Sequence, residues 1–234
     1  MFTKISSLTL AILLFLVLMG SRNNPYVLVI STLVLIFASF ALNFKRLNFT
    51  WPHLVLPTTY ILAVTSVFII ISQPTFRTVF LVAASVVFYF LEMKLGRESH
   101  FLQNSFLFTV FGLYLGTFAV QYYYHIPGPW IMPVIFIESY LFSVQGFAGF
   151  TLPAKKYFNM LIALITMQAA LGLTLWPTHF FVNTVVLFCL FYIIWIFAFS
   201  AFFGKLSRQK VYWQASLVAL VLILTLTTAA WRPL

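Results

Sequence analysis

The strongest constraint on the fold is a series of long apolar segments that follow one another with only short polar breaks between them. A helix needs about 20 apolar residues to cross a hydrocarbon core about 30 Å thick. The segments are continuously apolar rather than alternating, so spanning helices are expected and barrel strands are not. We predict a polytopic bundle of about nine transmembrane helices, near residues 5–20, 26–43, 54–73, 78–95, 104–122, 130–148, 157–176, 179–203 and 212–230.

The composition agrees with this fold class and excludes several kinds of protein. Only 7% of the residues are charged and 63% are hydrophobic, whereas soluble domains carry about 25% charged residues. A soluble enzyme, a nucleic-acid-binding protein and a disulfide-rich scaffold are therefore excluded. No polar break is long enough for a soluble domain, so residues 1–234 are predicted to form a single all-α domain in the cell membrane.

The lysines and arginines are distributed unequally between alternate breaks. With nine crossings, ten of the thirteen lie on one side and three on the other. Cytoplasmic loops carry an excess of Lys and Arg, so we predict a cytoplasmic N-terminus and an external C-terminus. The predicted cytoplasmic residues are Lys4, Lys45, Arg46, Lys94, Arg97, Lys155, Lys156, Lys205, Arg208 and Lys210, and the predicted external ones are Arg22, Arg77 and Arg232.

The first apolar segment also resembles a signal peptide, because Lys4 precedes the apolar run 8–19. A cleavage site there would place Leu18 or Met19 where a small residue is needed. We therefore expect an uncleaved first helix.

Glu138 is the most unusual polar residue, because it lies near the middle of the sixth predicted helix. A charge at this depth costs at least about 3 kcal/mol, which makes such a residue a functional hypothesis by default. No Lys or Arg lies at its depth, so we expect it to be buried against other helices and neutral at pH 7. With Ser139, Gln145 and Gln168 it forms a candidate polar site. The site would bind a proton, a cation or a lipid headgroup, or would only join helices by hydrogen bonds.

Glu92 belongs to a mixed-charge segment that ends the fourth predicted helix. Next to Lys94 and Arg97 it is expected to extend toward water or to pair with these bases, as part of a solvated helix end. The alternatives are an active site and a contact with anionic lipid headgroups. The candidate headgroup contacts are Glu92, Lys94, Arg97, Lys155 and Lys156, and the predicted partners are the bilayer and anionic lipids of its cytoplasmic face.

The remaining motifs are expected to be structural. Gly112 and Gly116 form a small-xxx-small motif, which lets two helices approach closely. Residues 168–172 are expected to form a second packing face, on which the Gln168 amide would hydrogen-bond to a neighbour. The aromatic loop 122–130 fits an interfacial belt, with a lid or a partner contact as the alternative. The four histidines lie at predicted interfaces and suggest no ligand set, so no metal and no cofactor are predicted.

Three functions are compatible with these observations. The leading hypothesis is a non-enzymatic scaffold, an accessory subunit of another membrane protein or a lipid-handling bundle, because the sequence contains no recognisable catalytic motif. The second is a small proton-coupled transporter, which a water-accessible cavity shared by Glu138, Gln145 and Gln168 would favour. The third is an intramembrane enzyme for lipid-linked substrates, with Glu138 or Glu92 as the acid–base group. A lateral cleft lined by interfacial His, Arg and Glu would favour it.

Overall fold

The computed structural model describes residues 2–46, 52–95, 100–149, 154–202, 204 and 207–229. These residues form nine α-helices and no strand, which confirms the predicted fold class. The helices are α1 (Phe2–Gly20), α2 (Pro25–Arg46), α3 (Pro52–Ile70), α4 (Pro74–Lys94), α5 (His100–Tyr124), α6 (Gly128–Gly146), α7 (Lys155–Thr174), α8 (Phe180–Phe202) and α9 (Arg208–Thr228).

Seven helices within the described ranges are long and apolar enough to cross a membrane. The apolar part of α1, Lys4–Gly20, is shorter, and α6 is less apolar because it carries Glu138 and Gln145 among its polar residues. Large apolar side chains such as Phe37 and Leu220 are exposed, as expected for surfaces that face lipid. The chain is therefore a multi-pass helical membrane protein. The crossing of α1 and α6, and the orientation, stay predictions.

Proline marks the start of several helices. Pro25, Pro52 and Pro74 are the first residues of α2, α3 and α4, and Pro129 lies in the first turn of α6. Proline is tolerated in the first turn because the N–H that it lacks would have no helical partner there, and its fixed φ suits the helix. The breaks that contain these four prolines are therefore helix starts.

The chain forms two compact units, Met1–Leu113 and Tyr114–Leu234, and α5 begins in the first and ends in the second. In the first unit, α1 and α3 each pack against both α2 and α4. Its core contains Tyr60 of α3, whose ring stacks on Phe88 with centroids 5.8 Å apart. The Tyr60 hydroxyl donates a hydrogen bond to the Ala84 carbonyl at 3.0 Å, which joins α3 to α4.

The glycine motif of α5 contributes to this packing. A Cβ atom built on Gly112 would lie 2.9 Å from the Cβ of Ala63 on α3. Such a distance is closer than two side chains tolerate, so the two helices can approach only because residue 112 has no side chain. The predicted close approach is thus present at Gly112.

In the second unit, α7 packs against α6 and α8, and α8 also packs against α6 and α9. Its core contains the fully buried rings of Tyr114, Phe142 and Phe191. The Phe191 ring of α8 contacts the other two, with centroids 6.1 Å from Tyr114 and 6.4 Å from Phe142. Among the described residues of α9, Val218 alone is buried. Most of the apolar surface of α9 is therefore left outside this unit.

Candidate functional site

Glu138 lies in α6 and is held by a hydroxyl from α5. The Thr117 side chain donates a hydrogen bond to Glu138 Oε1 at 2.9 Å. Part of the Glu138 side chain is exposed, but its Oε2 atom is buried and has no hydrogen-bond partner among the described residues. An acceptor without a donor in a dry environment is costly, so this oxygen is where a proton or a donor group would bind.

Ser139 is fully buried beside Glu138 and has a separate role. Its Oγ lies 2.7 Å from the Tyr114 hydroxyl, at hydrogen-bond distance. This contact and the Thr117–Glu138 contact join the same two helices, α5 and α6. Ser139 thus belongs to the hydrogen bonding between helices that the sequence analysis offered as one interpretation.

The two glutamines of the predicted site are not brought to Glu138 by any hydrogen bond within the described ranges. Gln145 lies seven residues after Glu138 on α6, about 10 Å further along the helix axis, and its Oε1 is buried without a partner among the described residues. Gln168 is exposed on α7, whereas Ala170 is buried. Two residues of a helix differ by about 200° in direction, so these side chains point to opposite sides. The predicted packing and hydrogen bonding of Gln168 are therefore wrong.

Glu92 is also placed differently from the prediction. It is only 1% exposed, and its Oε1 accepts hydrogen bonds from Ser39 Oγ at 2.8 Å and Asn43 Nδ2 at 2.9 Å. Asn43 Nδ2 lies 2.9 Å from Oε2 as well. The prediction of a solvated helix end, and with it that of a headgroup contact for Glu92, is therefore wrong. Donors on α2 satisfy the carboxyl group, so it stays inside the unit.

The four basic candidates for headgroup contacts are at helix ends or outside the described part. Lys94 ends α4, and Lys155 and Lys156 begin α7. Lys156 is exposed, whereas Lys94 and Lys155 are half-buried. Arg97 lies outside the described residues. Contact of these bases with anionic headgroups stays a prediction.

A cavity of about 630 Å³ lies in the second unit, where α5 and α7 end and α6 and α8 begin. We call it the α5–α8 cavity. Under the predicted orientation it lies at the external surface. Its aromatic walls are formed by Phe118, Tyr122, Tyr123, Trp176 and Phe180. The centroids of Tyr122, Tyr123 and Phe180 are 5.4 to 5.6 Å apart, so these rings form one continuous cluster.

The rim of the cavity is shaped by the end of α5. His125 adopts a left-handed backbone conformation with φ 52°, and the Ile126 N–H donates to the Gln121 carbonyl at 3.1 Å. This arrangement is a Schellman motif, which turns the chain away from the helix axis. The turn brings His125 and Gln121 into the lining of the same cavity.

The other polar side chains of the lining come from α7, α8 and the turn between them. They are Thr174, Thr178 and Asn183. The Thr178 hydroxyl donates to Asn183 Oδ1 at 2.7 Å, and the Thr174 hydroxyl donates to the Leu171 carbonyl at 2.7 Å. Among the described residues, the lining contains no Lys, Arg, Asp or Glu. The polar lining therefore consists of amides, hydroxyls and one imidazole, without a formal charge when the imidazole is neutral.

The cavity and Glu138 share one face of α5. Thr117, which donates to Glu138, precedes Gln121 by four residues, so their side chains point to the same side, about 6 Å apart along the axis. Phe118, the neighbour of Thr117, lines the cavity. The polar face of α5 thus continues from the cavity to the Glu138 carboxyl, one helical turn further from the end of the helix.

The histidines and acids do not assemble a metal site within the described ranges. No group of three or more His, Cys, Asp or Glu side chains there could hold a metal ion. His179 instead packs against two tilted rings, with its centroid 4.1 Å from that of Phe180 and 5.2 Å from that of Tyr122.

Two features of the structure were not predicted from the sequence, the α5–α8 cavity and the hydrogen-bond partners of Glu92. The aromatic loop 122–130 is the part of the sequence that could have indicated the cavity, although it also fits an interfacial belt. The other lining residues, from α7 and α8, are distant in sequence, so their proximity to this loop is not apparent. The partners of Glu92 also have a signal. Ser39 and Asn43 are four residues apart and form a polar stripe on an otherwise apolar helix.

Comparisons with known proteins give no relative. No protein-family model matches the chain, and no curated protein or solved structure matches it.

Proposed function

We propose that this chain is a non-enzymatic membrane protein that binds a lipid, with the lipid headgroup in the α5–α8 cavity. The observation that carries the proposal is the cavity itself, which combines aromatic walls with uncharged polar groups. Its volume lies within the range of about 300–1,000 Å³ that is usual for small-molecule sites. Concave sites lined by aromatic rings and a few polar groups are the usual form of such sites.

The location of the cavity supports a lipid rather than a fully soluble ligand. The cavity lies at the ends of four helices, of which α5, α7 and α8 meet the requirements for a membrane span. Trp176 in its wall is 41% exposed, and tryptophan is enriched at the level of lipid headgroups. A headgroup in the cavity would leave the acyl chains to extend along the apolar surface of the helices.

The hypothesis of a proton-coupled transporter gains one observation. Glu138 Oε2 has no hydrogen-bond partner among the described residues, and the face of α5 beside it leads into the cavity. Gln168 is exposed elsewhere on α7, so the convergence of three polar residues that would favour this function is not met. The enzyme hypothesis gains no support, because the described residues that line the cavity include one histidine and neither Arg nor Glu.

The proposed function is tested by filling the cavity. Gln121→Trp puts a bulky ring into the lining, and Gln168→Trp makes the same change on an exposed face of α7. Both proteins and wild type are extracted in a polyoxyethylene detergent, which has no lipid-like headgroup, and the lipids that remain bound are counted by native mass spectrometry. We expect Gln121→Trp to lose one bound lipid that wild type and Gln168→Trp retain. Equal lipid retention in all three proteins would overturn the proposal.

A further inference from the structure

The hydrogen-bonding groups of the α5–α8 cavity indicate the chemical class of its ligand. The described residues provide no hydrogen-bond partner for the side chains of Gln121 and His125, nor for Nδ2 of Asn183. A primary amide offers both donors and acceptors, and a neutral imidazole offers one of each. The ligand that satisfies these groups when it displaces water must itself both donate and accept hydrogen bonds.

The absence of Lys, Arg, Asp and Glu from the lining argues against a charged headgroup. A phosphate that leaves water for this cavity would lose its hydration and gain no cation in return. The transfer of an unpaired charge from water costs far more than that of a hydroxyl group. We therefore expect a phosphate headgroup to bind beside the bases at the other ends of these helices, where Lys155 and Lys156 begin α7.

The aromatic walls would also suit a quaternary ammonium group, through cation–π contacts. A methylated ammonium group, however, neither donates nor accepts a hydrogen bond. On binding it would displace the water that bonds to Gln121 and Asn183 and leave both amides unpaired, which costs free energy. The described part of the lining contains five polar residues and no acid, so several polar groups oppose such a ligand and no carboxylate attracts its charge.

We infer that the α5–α8 cavity binds an uncharged polyhydroxyl group, the sugar headgroup of a glycolipid. The inference rests on the proposed function and specifies its ligand. Sugar hydroxyls donate and accept hydrogen bonds, which matches the amides of Gln121 and Asn183. The C–H face of a sugar ring carries partial positive charge and packs against the negative face of an aromatic ring such as Trp176. The headgroup thus matches both the rings and the amides.

The inference is tested by titrating the purified protein with three lipids of identical acyl chains, in a polyoxyethylene detergent that carries neither sugar nor charge. The lipids are galactosyl diacylglycerol, phosphatidylglycerol and phosphatidylcholine, and binding is followed by native mass spectrometry. We expect the galactolipid to bind at least about tenfold more tightly at the cavity than phosphatidylcholine. Gln121→Leu should weaken the binding of the galactolipid by about fivefold, since hydrogen bonds to the sugar are lost.

Two control variants make the same chemical changes away from the cavity. Gln168→Leu replaces an exposed amide on α7 and should bind the galactolipid as wild type does. Trp176→Ala should weaken galactolipid binding, whereas Trp213→Ala on the exposed face of α9 should not. Phosphatidylglycerol that binds at the basic helix ends should be insensitive to Gln121→Leu.

The outcomes separate this inference from the proposed function. If phosphatidylcholine or phosphatidylglycerol binds as tightly as the galactolipid, and Gln121→Leu weakens its binding equally, a lipid site exists but the sugar inference is wrong. If no lipid responds to Gln121→Leu or Trp176→Ala, both are wrong. A final titration uses free methyl galactoside, which tests whether the sugar binds without a lipid. If it binds as tightly as the galactolipid and is weakened by Gln121→Leu, the sugar chemistry holds and the lipid function is wrong.

Discussion

Asn43 on α2 donates hydrogen bonds from Nδ2 toward both carboxyl oxygens of Glu92 on α4, each at 2.9 Å. Ser39, one turn earlier on α2, donates to the same carboxyl group at 2.8 Å. Three contacts thus join a buried acid to one face of a neighbouring helix, across 49 to 53 residues of sequence. A buried polar group with several donors on one helix restricts the rotation of the two helices about their axes, because another rotation would break these three contacts.

This contact predicts that Ser39→Ala destabilises the protein. Removal of the hydroxyl leaves Glu92 Oε1 with one fewer donor in a buried environment, at a cost of about 1–3 kcal/mol. Ser31→Ala is the matched control on the same helix, because the Ser31 hydroxyl bonds only to the carbonyl of Leu28 in its own helix. Thermal melting in detergent should give a lower Tm for Ser39→Ala than for Ser31→Ala. Equal melting of the two variants would contradict the contact.

The positions of the helices could be predicted from the sequence, because they depend on local properties. Apolar length, basic residues and prolines are read along the chain, and all nine predicted segments fall on helices of the structure. The prediction for Glu92 used the same local reasoning and was wrong. The bases at its own helix end are near in sequence, but its hydrogen-bond donors lie on another helix.

The candidate site was harder to predict than the helices, because it depends on how each helix is rotated and on which helices are neighbours. All-round apolar helices show little preference for one face, so the sequence does not reveal that Gln168 points outward while Ala170 points inward. Glu138 was an exception, because its depth alone marks it as unusual. Its partner Thr117 is one of several hydroxyl-bearing residues in neighbouring helices, and nothing in the sequence distinguishes it.

The close contact between Gly112 and Ala63 predicts that Gly112→Ala destabilises the protein. The added methyl group would lie 2.9 Å from Ala63 Cβ, and overpacking of this kind costs about 1–3 kcal/mol. Gly172→Ala is the matched control, because a Cβ atom at that position would have no atom within 4 Å beyond its chain neighbours and the local helix backbone. Thermal melting should show a lower Tm for Gly112→Ala but not for Gly172→Ala. Combining Ala63→Gly with Gly112→Ala should recover most of the lost Tm. Without that recovery, the contact is not the cause.

The predicted topology depends on whether α6 crosses the membrane. With nine crossings, reporters fused after Lys45, Lys94, Lys155 and Lys205 all read cytoplasmic, and a reporter after Leu234 reads external. If α6 enters and leaves on one side, the reporters after Lys155 and Lys205 read external while the one after Lys94 stays cytoplasmic. We expect the first result, because it gathers ten of thirteen bases on the cytoplasmic side. An external reading at Lys155 would contradict it.

The last prediction concerns the pair formed by Thr117 and Glu138. Glu138→Gln should keep the fold and the thermal stability, because an amide oxygen still accepts the hydrogen bond from Thr117. Glu138→Leu removes that acceptor and should lower the Tm. Thr117→Val removes the hydroxyl that donates to Glu138 Oε1 and should lower the Tm as well. The double variant Thr117→Val with Glu138→Leu should lose less stability than the sum of the two single losses, by about 0.5–1 kcal/mol in the free energy of unfolding.

The same variants separate a structural role of Glu138 from proton coupling. In liposomes with an imposed pH gradient, a structural Glu138 gives equal proton flux in wild type and Glu138→Gln. A coupling Glu138 gives a flux that Glu138→Gln abolishes without a change in melting, because the amide cannot take up and release a proton at this depth. If Glu138→Leu melts like wild type and leaves the flux unchanged, the pair neither holds α5 to α6 nor carries protons, and the polar face of α5 ends at the cavity.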